Sequence, residues 1–428
     1  MEFGIGYTFV EEARKGHHDL HRFSTAFEER RAELETTKAY CYDRFIEHSS
    51  NATGNVGSEL DDLQRRYVWC TNHYLGLNRH PELVEQTAAA VRRYGTGSGT
   101  SAMSGGRCRL HVEIEDFLKG FLDKEDVVLF PTGYSTNTGM LSTLVQRNDV
   151  VISDAENHAS IIDGIRLSGR DKLIFDHNNL DSLEARLREV KGRYQNVFVV
   201  VESAYSMSGD IAPLREIVAL KRKYGFLLFV DEAHSFGFYG PRGRGLAAEM
   251  GLLREVDFLT GTFSKSCASI GGFCAFGKKF RTFITCRTSS YLFQAAIPPS
   301  AAATVLGALR LFSQDDSFAK DLHQKNAYMR GRLLAHGFSL GTSASPIIPI
   351  YISDTDLLTR FETDMYREGI FAVSVVYPAV KPDEGRIRLI INCSHSYADI
   401  DATVGILARL GRKYGVIAEP APESLVVS

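Results

Sequence analysis

The chain has 428 residues, a formal net charge of −3, and 44% apolar and 24% charged residues. Its length exceeds the roughly 250–300 residues at which one core stops growing, so more than one folding unit is expected. Near-neutral charge weighs against a nucleic-acid binder, and no apolar run reaches the ~18–20 residues of a membrane span.

The opening residues "MEFGIGYTFVEEARKG" have no basic start and no long apolar core, so no leader peptide is expected. Seven scattered cysteines without a C-x-x-C pair suggest free thiols, hence a cytoplasmic protein. Residues 1–65 form a charge-rich N-terminal helical arm, with "EERRAELETTKAY" as its solvated helix. His17, His18 and His21 lack the cysteines or carboxylates that would complete a metal site, so no metal is expected.

From Tyr67 onward short apolar runs alternate with amphipathic helices. Strands are predicted at 127–130, 150–153, 197–202, 226–232, 258–263 and 271–276, with helices over 182–193 and 214–225. Continuous apolar strands separated by helices predict an α/β domain over residues 66–305, its mostly parallel sheet covered on both faces. A long helical stretch (301–335), strands at "PIIPIYI" and "RIRLIINCS", and a late helix in "DIDATVGILARLGRKYG" predict a smaller α+β domain over 306–428.

The tetrapeptide Asp231-Glu232-Ala233-His234 matches the magnesium-holding box of nucleic-acid motors. Such a motor also needs a phosphate loop. "GFCAFGKK" (272–279) has Lys279 where the hydroxyl residue belongs, follows the box and lies in a Gly-rich strand and turn. "GTGSGTS" (95–101) follows a helix where a dinucleotide fingerprint follows a strand. No G-x-S-x-G or H-E-x-x-H occurs.

In parallel sheets ligands bind beyond the carboxyl ends of the strands. There the chain places Pro131-Thr132-Gly133-Tyr134-Ser135, then Asp154 to His158, then Asp231 and His234, then Thr262-Phe263-Ser264-Lys265. Taken singly each has a plainer role: a solvated rim lysine, an N-cap aspartate, a packed histidine. Together they suit an aldehyde cofactor with a phosphate and a pyridine ring. A lysine amine forms the Schiff base, an aspartate keeps the ring nitrogen protonated, and a helix start with neighbouring hydroxyls takes the phosphate.

The segments "DEAHSFGFYGPRGRG", "GTFSKSCASIGG", "PTGYSTNTG", "DAENHASIIDG" and "YSMSGDIAPL" resemble the α-oxoamine synthase family of fold-type I pyridoxal phosphate enzymes, and most of all its bacterial serine palmitoyltransferases. The resemblance runs from "NHYLGL" (72–77) to the C-terminal helix. It implies that Lys265 holds the cofactor and later acts as base, that Asp231 pairs with the ring nitrogen and His234 with the ring oxygen, and that His158 stacks on the ring. It implies phosphate contacts from Gly133, Tyr134, Thr262 and Ser264, a carboxylate-gripping Arg388, and pocket positions at Asn72 and Ser206. A cytoplasmic homodimer is implied. It would condense L-serine with a long-chain acyl-CoA, releasing CoA and CO2 and leaving an α-amino ketone. Alanine or glycine, or a carrier-protein thioester, is the alternative substrate set. The chain departs from the family at Ala102, where an arginine is usual, at Gln294-Ala295-Ala296, where Ser or Thr precedes Pro-Pro, and at Ser203, where glycine is frequent. Those changes are either neutral or alter the substrate pocket.

Overall fold

The computed structural model describes residues 8–36, 43–48, 51–58, 61–377 and 379–418. Residues 1–7 of the expected leaderless start, residues 37–40 of the arm helix and Cys41 lie outside them. The chain divides into two compact units, Asn72–Ser206 with Asp210–Leu322, and Met1–Thr71 with Met207–Gly209 and His323–Ser428. This differs from the three-part division expected from sequence, because the N-terminal residues group with the C-terminal ones.

The first unit is built on a seven-stranded sheet. Its strands are β1 (Asp126–Phe130), β2 (Asp149–Asp154), β3 (Asp171–Phe175), β4 (Asn196–Glu202), β5 (Leu227–Asp231), β6 (Phe258–Thr262) and β7 (Gly272–Phe276), in spatial order β1-β7-β6-β5-β4-β2-β3. Only β7 runs antiparallel to its neighbours. All six predicted strands are present. The unpredicted β3 lies at the sheet edge, where four of its five residues are not buried, so it lacks the apolar run that marks the inner strands.

Alternate side chains of the buried strands, Val128 and Phe130 on β1 and Phe198 and Val200 on β4, join Phe229 and Phe258 in one core cluster. Helix α3 (Gly133–Leu144) closes it with Met140, Leu141 and Leu144. Each such side chain, fully buried, contributes about 1.5–3 kcal/mol. Helices α1 (Pro81–Tyr94), α2 (Arg109–Phe121), α4 (Ala159–Ser168), α5 (Leu180–Val190) and α6 (Leu214–Tyr224) complete the covering layers with α7 (Pro299–Gln314). The helical stretch expected over 301–335 is two helices. It breaks after α7, where Asp315 accepts hydrogen bonds from the backbone and hydroxyl of Ser317, and resumes at Ser317–Ala335.

The register explains where the functional residues gather. Glu202 pairs with Asp231 and Asp231 with Thr260, so the ends of β4, β5 and β6 form one rim. The antiparallel β7 starts there, with Gly272 opposite both Phe130 and Thr262.

The second unit carries an antiparallel sheet of β8 (Ile347–Tyr351), β9 (Val373–Val375) and β10 (Arg386–Ile390), with β10 central. Helix α8 (Thr355–Arg367) packs with it, and helix α9 (Tyr397–Lys413) packs with α8. The arm is not wholly helical. Leu20–Thr36 is helix, but Thr53–Ser58 and Asp61–Val68 form an antiparallel pair, and the latter runs parallel to Ile370–Phe371. Strand "DDLQRRYV" is charged and largely exposed, which hid it from a search for apolar runs.

Candidate active site

One cavity of about 320 Å³ opens at the strand-end rim of the first unit. Eight of the expected site residues line it: Gly133, Tyr134, His158, Asp231, His234, Thr262, Ser264 and Lys265. Asn72 and Ser206 belong to the same unit but not to this lining. Ser206 is buried in a turn closed by Tyr205 N–H donating to the Asp210 carbonyl at 2.9 Å. Arg388 lies in the other unit, half-buried on β10 opposite Pro349 and Val373.

One end of the cavity is a cradle of backbone and hydroxyls. Thr132 caps α3 by accepting from Ser135 N–H at 2.9 Å. The first turn beyond it turns N–H groups and the positive end of the helix toward the cavity. A Cβ on Gly133 would lie 2.7 Å from Thr262 Cβ, and one on Gly272 would lie 2.8 Å from Gly133 N. Glycine alone permits this approach. Thr262 and Ser264 share a hydrogen bond between hydroxyls at 2.8 Å, in a hydroxyl-lined concavity that suits an anion.

Lys265 sits on the loop joining β6 to β7. That loop is closed by Phe263 N–H to Gly271 O (2.9 Å) and Ala268 N–H to Lys265 O (3.0 Å), with Ala268 held at φ 50°. A non-glycine residue there is strained, and the closed loop keeps the half-buried lysine on the cavity wall.

Facing it, Asp231 is buried and accepts from Ala233 N–H at 2.8 Å and from the Asn137 amide at 2.6 Å. His234 meets the buried Tyr74 hydroxyl through Nδ1 at 2.7 Å. His158 caps α4, its Nδ1 accepting from Ser160 N–H. Burial lowers its pKa below the ordinary imidazole value, with the Lys265 charge acting in the same direction and Asp231 against it. Fully buried Glu202 accepts from His158 N–H and has its pKa raised well above the usual carboxyl value, by burial and then by the neighbouring Asp231 charge. Asn137, Glu202, Ser160 and Tyr74 escaped sequence reasoning. Asn137 lies one helical turn beyond the singled-out Gly133, and Tyr74 lies inside the quoted "NHYLGL".

The tetrapeptide that suggested a motor separates by role. Asp231 and His234 face the cavity, whereas Glu232 is buried and accepts from Ser203, Ser235, Leu246 N–H and Ala247 N–H. Ser203 is likewise buried among these groups and does not line the cavity. Ala102, Gln294 and Ala296 share a second, narrow cleft with Arg107, His111 and Glu115. Ala296 N–H donates to Thr100 O at 2.9 Å, so the two departing segments are direct neighbours.

These residues fit pyridoxal phosphate: an amine and a carboxylate open onto one cavity, and at its end two glycines let a helix start lie close against the hydroxyl of Thr262, an approach that a Cβ would block. The chain belongs to the aminotransferase class I and II family, which it matches over residues 67–407. Within that class it is a pyridoxal phosphate-dependent acyltransferase of the α-oxoamine synthase type, with the fold-type I architecture expected from sequence. Among its relatives, an 8-amino-7-oxononanoate synthase of Thermoanaerobacter pseudethanolicus is 35% identical over 347 residues, 81% of this chain and 88% of that protein. A serine palmitoyltransferase of Bacteroides thetaiotaomicron is 36% identical over 371 residues, 86% and 92% of the two chains. The solved serine palmitoyltransferase of S. paucimobilis superposes with a TM-score of 0.88 at 31% identity, covering 93% of this chain and all of that one.

Proposed function

We propose that the protein condenses an amino acid, L-serine first, with a long-chain acyl-CoA, releasing CoA and CO2 and leaving an α-amino ketone. The observation that carries this reading is the placement of Lys265 and Asp231 on the wall of one cavity that ends in the α3 cradle. The preference for serine over alanine draws support from the serine palmitoyltransferase relative, which matches a longer stretch of the chain.

Bound pyridoxal phosphate supplies an electron sink for the pair of electrons left when the substrate Cα loses its proton. Lys265 would anchor the cofactor's aldehyde carbon and, once displaced by substrate, carry the Cα proton on its Nζ. Asp231, buried at the end of β5, would hold a proton on the ring nitrogen. His234, positioned by Tyr74, would donate to the ring oxygen, and His158 would cover the ring and shield it from water. The Gly133 and Tyr134 backbone and the Thr262 and Ser264 hydroxyls would bind the phosphate. Arg388, with Asn72 and Ser206 as pocket positions, would take the substrate carboxylate through its planar fork.

A cytoplasmic homodimer is part of this reading. Phe293, 82% exposed, and Met103, 47% exposed, flank the Gln294 cleft as apolar groups suited to a second copy. A second substrate set has its own support. An 8-amino-7-oxononanoate product carries its amino carbon beside a methyl group, the skeleton that alanine provides, so alanine with a shorter acyl thioester is the competing assignment. Glycine, or an acyl group on a carrier protein, belongs to the same set.

Titrating the yellow holoenzyme with single amino acids and recording its visible spectrum separates these. Serine is expected to perturb the band at the lowest concentration, and alanine doing so first overturns the serine assignment. Lys265→Ala is expected to lose both turnover and the lysine-linked absorbance. Retention of both would remove the basis of the proposal.

A further inference from the structure

Asn137 makes no contact expected from its sequence position, yet it joins three polar side chains at the strand-end rim. Its amide nitrogen donates to Asp231 Oδ2 at 2.6 Å and to Ser160 Oγ at 3.0 Å. Its oxygen accepts from the Thr260 hydroxyl at 3.0 Å, which fixes which way the amide faces. Ser160 Oγ in turn lies 2.8 Å from His158 Nδ1. Donors and acceptors close without conflict: Thr260 to Asn137, Asn137 to Asp231 and Ser160, Ser160 to His158. Asn137 is 3% exposed and lines the cavity, and its register neighbours Thr260 and Asp231 are paired across β5 and β6.

We propose that Asn137 is a positioning residue for the cofactor. It holds the Asp231 carboxylate in one orientation with a neutral donor, adding no positive charge that would compete with the ring nitrogen. Through Ser160 the same amide fixes the His158 ring with Nδ1 as acceptor. A cation in this place would neutralise Asp231, and a second carboxylate would compete with it for a proton. A neutral, two-donor side chain satisfies both needs. This inference rests on the proposed use of pyridoxal phosphate and goes beyond it by assigning the residue that orients Asp231.

The test uses holoenzyme reconstituted with pyridoxal phosphate, wild type beside Asn137→Ala and Asn137→Asp. The readouts are the cofactor dissociation constant, from fluorescence, and the pH dependence of the visible band. Loss of a charge-assisted hydrogen bond is expected to weaken the cofactor by about tenfold or more and to move the band's pH midpoint. Asn137→Asp is expected to move that midpoint further than Asn137→Ala, because two adjacent carboxylates share a proton. A residue that merely supports the fold lowers the melting temperature but leaves the midpoint in place, and that result overturns the proposal. Should the Asn137 variants not fold, Thr260→Val decides. A shift in the same direction supports the inference, and wild-type values overturn it. Wild-type protein without a visible band sinks the proposed function as well, whereas unchanged variants beside a banded wild type sink only this inference.

Discussion

Two buried aspartates end strands of the same sheet on either side of β4, Asp154 on β2 and Asp231 on β5, and they resemble each other in sequence as "VVISD" and "LLFVD". Their surroundings differ in kind. Asp154 accepts from backbone N–H of Glu156 and Asn178 and from the His177 ring at 2.8 Å, and the other ring nitrogen of His177 lies 3.2 Å from Asp210. Asp231 accepts from one amide side chain and one backbone N–H. One carboxylate is held by a histidine within the fold, while the other is held by neutral donors and lines the cavity with Lys265. On the proposed function, the difference is that between a structural aspartate and a chemical one.

The largest expected effect comes from making the same change at both places. Asp231→Asn keeps the shape but removes the charge that would hold the ring proton, and should lower kcat/KM by roughly a hundredfold or more. Asp154→Asn should act mainly on folding, lowering the melting temperature while leaving kcat/KM within about tenfold of wild type. Thiol release at saturating cofactor and a melting curve of each variant supply the two numbers. Equal losses of activity would erase the distinction between the two aspartates.

The histidine of the structural cluster sharpens the comparison through pH. Burial opposes its charge, but hydrogen bonds to Asp154 and Asp210 prevail, and the charges of Asp154 and Glu156 add to them, so its pKa rises to about 10. Tyr205 packs edge-on against the ring at 4.4 Å. Because the folded value lies above the unfolded one, the stabilisation is fully present below about pH 6.5 and declines as pH rises through 10. His177→Gln leaves two buried carboxylates without their cation, at a cost of about 3 kcal/mol. The variant's melting temperature should therefore fall furthest below wild type near pH 6, and the gap should narrow as pH rises toward 10. A gap independent of pH would mean that His177 is neutral in the folded protein.

What could be read from the sequence follows the physics of each part. The strands buried on both faces, edge strand β1 among them, carry continuous apolar runs, so β1, β2, β4, β5, β6 and β7 were all legible. Their ends exposed Asp231, Lys265, Thr262 and Gly133 because parallel sheets put ligands there. Edge strand β3 and the arm's strand pair were not legible, since half-exposed strands carry charged residues and no continuous apolar signal. Asn137 and Tyr74 were hidden for a different reason. Their contacts join residues 94 and 160 positions apart, and an asparagine in a helix or a buried tyrosine shows no sign of its partner in one dimension. The three departures from the family pattern were visible singly, but only the fold shows that Ala102 and Gln294 to Ala296 adjoin one cleft while Ser203 lies elsewhere.

Ser203 supplies the smallest expected effect. Its hydroxyl donates to Glu232 at 2.9 Å and pairs with Ser235 at 2.8 Å. Glu232, whose pKa burial raises, clamps the turn at Leu246 and Ala247 through their N–H groups at 2.9 and 2.8 Å. Placing glycine at 203, as the family often does, removes one donor while the carboxylate keeps three. The expected cost is about 1–2 kcal/mol of stability, with no change in the ratio of kcat/KM between serine and alanine, because the hydroxyl faces Glu232 and not the cavity. A serine-to-alanine preference that moves in Ser203→Gly would instead assign this position to the substrate pocket, and would carry the contrast between structural and chemical groups one strand further along the rim.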